Sequence, residues 1–136
     1  MKRRMATALL AALVILGLAG CNTSTVTMLP PAEGQTASSG AKAAANLEGE
    51  NWGIFLFYWI PLWSGHPGSP NRREYVVFGN RVKGKYMDMM LRQRAKQMKA
   101  ETIEDLKVRE SSTGVFSLWI LWRRSISATA VAVEKK

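Results

Sequence analysis

Most large apolar side chains fall in two blocks of this chain. The first is a single short run, residues 6–18, behind Lys2, Arg3 and Arg4, and the second starts abruptly at Trp52. Between them, Asn22-Thr23-Ser24-Thr25, Pro30-Pro31, residues 34–40 and Ala43-Ala44-Ala45 carry almost none. Ordering such stretches costs backbone entropy with little burial in return, so residues 22–50 are expected to be a disordered tether. Its reach as a flexible coil would be roughly 30 Å, from about 5–6 Å times the square root of its length. That leaves residues 51–136 for one small folded domain.

Within that domain, residues 52–63 are too short and too aromatic for a membrane-spanning helix, and Pro61 would break a helix, so the run predicts one buried strand. A Gly- and Pro-dense loop follows at 65–71, then a short strand or edge segment at 74–78 ending in the turn signal Gly79-Asn80. With Asn80 as N-cap, residues 81–99 read as a helix with Met87, Met90, Leu91, Ala95 and Met98 on one face. Residues 102–110 alternate only over their second half and predict an edge strand, Ser111 to Gly114 a turn, and 115–122 an apolar strand. Arg123-Arg124 reads as a bend, bulge or emergence from the core, and 126–133 continue extended, with Ala128, Ala130 and Ala132 on one face. The order predicts an α+β domain: one amphipathic helix on a small, mostly antiparallel sheet of three to four strands.

Two surfaces stand out as candidates. In a single strand over 52–63, Phe55, Phe57, Trp59 and Trp63 share a face opposite Ile54, Leu56, Ile60 and Leu62. That aromatic face is covered by another layer or loop, associates with a second copy, or meets a lipid interface, where Trp and Tyr are favoured. On the helix, Lys85, Arg92, Lys96 and Lys99 cluster opposite the apolar face. Such a stripe is a solvated face or a docking element for anionic head groups, and the methionines are expected in the core.

The first apolar block changes the picture most. Cations, a compact apolar run and small residues at Ala19-Gly20 have the order of an export signal, and the run is shorter than the ~20 residues a permanent span needs. Leu18-Ala19-Gly20-Cys21 resembles the lipobox of bacterial lipoproteins, in which the cysteine becomes the first residue of the mature protein. The resemblance implies cleavage between Gly20 and Cys21, a diacylglycerol thioether on Cys21 Sγ, and a further acyl chain on the new amino terminus. Two or three chains anchor a protein stably where one binds marginally. It also implies an outer-membrane, periplasm-facing location over inner-membrane retention, since Asn22 stands where a retention signal has Asp. The expected parts are therefore a signal peptide at 1–20, a lipidated N-terminus and tether at 21–50, and the domain at 51–136.

Composition adds few chemical tools. Cys21 is the single cysteine, so its acylation removes thiol and thiolate-metal chemistry. Loss of Lys2, Arg3 and Arg4 lowers the formal charge from +9 to +6, a basic excess that suits anionic lipid; nucleic acid is not expected outside the cytoplasm. His66, the single histidine, sits in the Gly/Pro loop and is expected to be solvated, with no convergent metal ligands or nucleophile beside it. Glu104 and Asp105 would point to opposite faces of a strand, and neither G-x-S-x-G nor H-E-x-x-H occurs. No catalytic residue, metal or cofactor is expected.

A second resemblance covers most of residues 51–133. The progression Gly53-Ile54-Phe55-Leu56-Phe57, Ile60-Pro61-Leu62-Trp63, the amphipathic helix, Glu104-Asp105-Leu106-Lys107-Val108 and Ala128-Thr129-Ala130-Val131 is similar to small bacterial lipoproteins of the TRL-like kind. It implies an envelope-attached α+β domain of undefined molecular activity, and it supplies no catalytic residues. The expected function is a non-enzymatic, lipid-anchored envelope protein presenting a binding or assembly domain to an envelope protein or a second copy. The alternatives are a lipid-surface module and, third, an envelope hydrolase.

Overall fold

The computed structural model describes residues 22–115 and 119–134. The expected signal peptide at 1–20 and Cys21 therefore lie outside the described residues, as do Phe116, Ser117 and Leu118. The described chain forms strands β1 (Ser24–Leu29), β2 (Ala43–Leu56), β3 (Ile60–Gly65) and β4 (Tyr75–Val77), helix α1 (Gly84–Gln97), and strands β5 (Thr102–Val115) and β6 (Leu121–Val133).

Strand β2 organises the sheet because its residues alternate in size and polarity. Ala43, Ala45, Leu47, Gly49 and Asn51 are buried, while Glu48 and Glu50 between them are exposed. β6 matches it, with Ile126, Ala128, Ala130 and Ala132 buried and Ser127 and Thr129 exposed. The two strands pair antiparallel over the full length of β2. On the other edge of β2, two strands sit end to end: β1 pairs with Asn46 to Asn51, and β3 with Gly53 to Leu56. β4 continues the sheet beyond β3, and β5 closes the far edge beyond β6.

Helix α1 lies on the inner face of this sheet and buries Met87, Met90, Leu91 and Ala95, as the 3.6-residue periodicity predicts. Small sheet residues let it approach. A Cβ added at Gly49 would stand 3.0 Å from the terminal carbons of Met87 and Met90 and 3.1 Å from Leu91 Cδ2. The long side chains come from the helix and the space from the sheet, so the two surfaces interdigitate. Arg94 and Lys96 in the last turn complement the negative end of the helix dipole. The helix ends at Gln97 and begins at Gly84, not at 81, with Lys83 at the N-cap; Asn80 Oδ1 instead accepts from the Val82 N–H at 3.1 Å.

Several expectations need correction. The sheet has six strands, not three to four, because residues 22–50 are not a disordered tether: they supply β1 and half of β2. Their alanines and glycine contribute little apolar area themselves, but they face large helix side chains. The folded domain thus includes β1 and all of β2 rather than starting at Asn51. Residues 52–63 form two strands with a reversal at Phe57 to Trp59, where Leu56 pairs with Ile60. Ser111 to Gly114 continue β5 without a turn, so the reversal toward β6 comes after Val115 and takes up part of the expected strand 115–122. β5 is at an edge, as expected.

Arg123 and Arg124 do not bend the chain. They pair in register with Ile54 and Gly53 of β2, and the shift in that ladder lies far away at Ala43/Ala45. Their side chains leave on opposite faces and lie over rings, Arg123 at 4.6 Å from Trp52 and Arg124 at 5.0 Å from Phe55. The charges stay near solvent while the stems cover aromatic surface, so no unpaired charge is buried.

Candidate functional site

Among the described residues the inner face is only half covered. The segment leading into α1 crosses it at the level of Asn51, whose Nδ2 donates to the Arg81 carbonyl at 2.8 Å. Beyond that level the same face carries Tyr58, Glu110, Ser112 and Arg124 around an open pocket bordered by Val82. Glu110, Ser112 and Gly114 there are exposed.

At this bare end two chain reversals meet. The Phe57 N–H donates to the Ile120 carbonyl at 2.7 Å, joining the β2–β3 reversal to the start of β6. Tyr58 packs edge-on against Trp122 with ring centroids 5.5 Å apart, and Trp119 against Trp122 at the same separation. Arg124 lies 4.9 Å from the Tyr58 ring. Trp59 is 69 % and Trp119 75 % exposed, with Phe57, Tyr58, Ile60 and Ile120 also open to solvent. Phe78, 75 % exposed, joins the same end, since its N–H donates to the Leu62 carbonyl two residues into β3. Residues from three segments, 57–60, 119–122 and Phe78, thus stand at one end of the sheet.

The backbone makes this end unusual. Phe57 (φ 50°), Tyr58 (φ 76°), Phe78 (φ 54°) and Trp119 (φ 55°) all lie in the left-handed region. Each such position costs a non-glycine residue about 1–2 kcal/mol, and Gly or Asn would serve a turn better. Bulky apolar residues here improve neither the turn nor the core. Their position fits contact with something outside the chain.

The predicted site residues divide around this end. Phe57 and Trp59 lie in it. Phe55 is fully buried in the core under Arg124, and Trp63 is half-buried within β3, so the four do not form one strand face. Lys85, Arg92, Lys96 and Lys99 are exposed on or just beyond α1, where Arg92 Nε pairs with the Asp88 carboxylate at 2.9 Å. Sequence reasoning missed Trp119, Phe78 and the placement of Arg123 and Arg124; the doublet of aromatics and cations at 119–124 was the available signal.

The acidic pair is occupied structurally. Glu104 and Asp105 do not point apart: at the bulge near Asp105 (φ 54°) both accept from the β1–β2 loop. Ser39 Oγ donates to Glu104 Oε1 at 2.7 Å and the Ser38 N–H to Asp105 Oδ2 at 3.0 Å. His66 is half-buried rather than solvated, with Nδ1 enclosed and without a protein partner, and the described residues hold no cluster of three metal-ligating side chains. Among the described residues no helix is long and apolar enough to cross a membrane. No family model matches the chain, and neither a curated protein nor a solved structure is significantly similar to it.

Proposed function

We propose that this chain is a non-enzymatic, lipid-anchored protein of the bacterial cell envelope, held through Cys21 and presenting the aromatic end of its sheet as a binding surface. The anchor follows from Leu18-Ala19-Gly20-Cys21 behind a charged and apolar leader, with the outer membrane's periplasmic face as the favoured location. The likeness to small TRL-like lipoproteins points the same way. The observation that carries the binding role is the set of exposed aromatics held at positive φ where two reversals meet. A non-enzymatic reading is supported by the engagement of Glu104 and Asp105 with the Ser38-Ser39 loop.

The test of the anchor is direct. Expression of the full chain in a bacterial host with labelled palmitate is expected to label the protein, release residues 1–20 and place it in the membrane fraction. Cys21→Ser is expected to abolish label and processing. Normal membrane attachment and processing of Cys21→Ser would overturn the reading.

A further inference from the structure

We infer that the aromatic end docks into the anionic head-group region of the same leaflet that holds the lipids on Cys21, so the domain lies on its own membrane. This rests on the lipid-anchor reading above and names the partner of the proposed binding surface.

The leash is short. Cys21 is bonded to Asn22, whose carbonyl accepts from Trp52 Nε1–H at 3.2 Å. Thr23 is already buried: its carbonyl accepts from the Trp52 N–H at 2.9 Å and its hydroxyl donates to the Glu74 carbonyl at 3.2 Å. The fold begins one residue after the anchor, a span of about 3.5 Å. A domain so held cannot hang tens of ångströms from the bilayer.

The leash also has a direction. β1 pairs antiparallel with β2 and runs away from the aromatic end, so the chain preceding Ser24 heads toward that end. From Trp52 to Leu56, the last residue of β2, the strand covers about 13 Å at about 3.3 Å per residue. The lipid on Cys21 and the exposed rings are therefore within reach of one surface, with the domain tilted toward the sheet face that bears Trp52.

The chemistry of that end fits a lipid interface. Trp59, Trp119 and Tyr58 combine an apolar ring with a polar group, which suits the boundary between head groups and acyl chains. Cations stand behind them at the level where the chain enters: Arg123, beside Glu50 at 3.7 Å, on one face, and Arg124, Arg81 and Lys83 on the other. Such a collar lies at head-group depth when the tip enters, and anionic lipids attract it. By contrast, Arg92, Lys96 and Lys99 follow the helix toward the opposite end of the sheet, where Ala100 and Ile103 join the core. The tip, not the helix stripe, is the docking element.

The experiment uses the full chain, processed and lipidated in its host, then reconstituted into phosphatidylethanolamine/phosphatidylglycerol vesicles carrying bromine on acyl carbons near the head groups. Tryptophan emission is expected to be quenched, and Trp59→Phe with Trp119→Phe to remove most of the quenching, while Trp63→Phe changes little. Phe57→Asn with Trp59→Ser is expected to cut the quenching of the remaining Trp119 several-fold at a thermal midpoint that does not fall. Unquenched emission from protein whose mass shows lipid on Cys21 would overturn docking and leave the anchor standing. A mass lacking that lipid removes the anchor and this inference with it. Equal quenching in phosphatidylcholine overturns the role of the cationic collar. A dimer in detergent that the tip substitutions dissolve, with unquenched vesicles, assigns the surface to a second copy instead.

Discussion

The two halves of one sheet obey different rules. Under α1, Ala45, Gly49, Ala128, Ala130 and Ala132 make a shallow floor into which Met87, Met90 and Leu91 fit, and each of these is buried. At the other end, side chains far larger than the turn requires stand in solvent on strained backbone. The first half shows what the chain does to fold. The second shows what it keeps at a cost to folding, and a function placed there explains why the cost is tolerated.

The contrast is broken most severely by emptying the covered half. Met90→Ala removes a fully buried side chain that touches Gly49 and receives the Ser24 hydroxyl at 3.2 Å. A loss of about 2–5 kcal/mol is expected from denaturant unfolding. Trp119→Ala, larger in volume but exposed, is expected to change stability by less than about 1 kcal/mol. Equal losses would show that the aromatic end is a second core.

The next effect concerns an edge. β1 has β2 on one side; on the other, Asn71 (φ 64°) copies a strand residue, its Oδ1 accepting from the Val26 N–H and its Nδ2 donating to the Val26 carbonyl, both at 2.9 Å. Asn71→Ala leaves both backbone groups without that partner and is expected to cost about 1–3 kcal/mol. It also bares the outer edge of β1, so faster amide exchange at Val26 is the specific readout.

How much was legible in the sequence follows from which side chains carried the signal. α1, its buried Met87, Met90, Leu91 and Ala95, the edge position of β5 and the alternation in β6 were readable, because large or regularly spaced side chains marked the period. β1 and the start of β2 were hidden because their part in the core is to be small, and the bulk comes from a helix about forty residues later. The reversal within 52–63 was hidden for another reason. Its left-handed positions hold Phe57 and Tyr58 rather than Gly or Asn, so no turn residue announced it. Phe57 and Trp59 were recognisable as candidates, but Trp119 and Phe78 join them only through strand pairing.

A smaller substitution tests the fit beneath the helix. Gly49→Ala places a methyl 3.0–3.1 Å from three flexible side-chain ends, so Met87, Met90 and Leu91 must give by a few tenths of an ångström. A cost of about 1 kcal/mol, visible as a drop in thermal midpoint, is expected from this mild overpacking.

The smallest effect carries the opposite sign, and the sign is what matters. Phe57 sits at φ 50° and is half exposed, whereas Asn tolerates that conformation through its short polar side chain. Phe57→Asn is therefore expected to raise stability by up to about 1 kcal/mol, since it relieves backbone strain and gives up little buried area. Tyr58→Gly relieves its own strain but loses the contacts with Arg124 and Trp122 and adds freedom to the unfolded chain, so it should come out near zero. A clear loss of stability in Phe57→Asn would mean that its ring is part of the fold after all. A gain, together with weaker membrane docking, would separate the needs of the turn from those of the surface it carries.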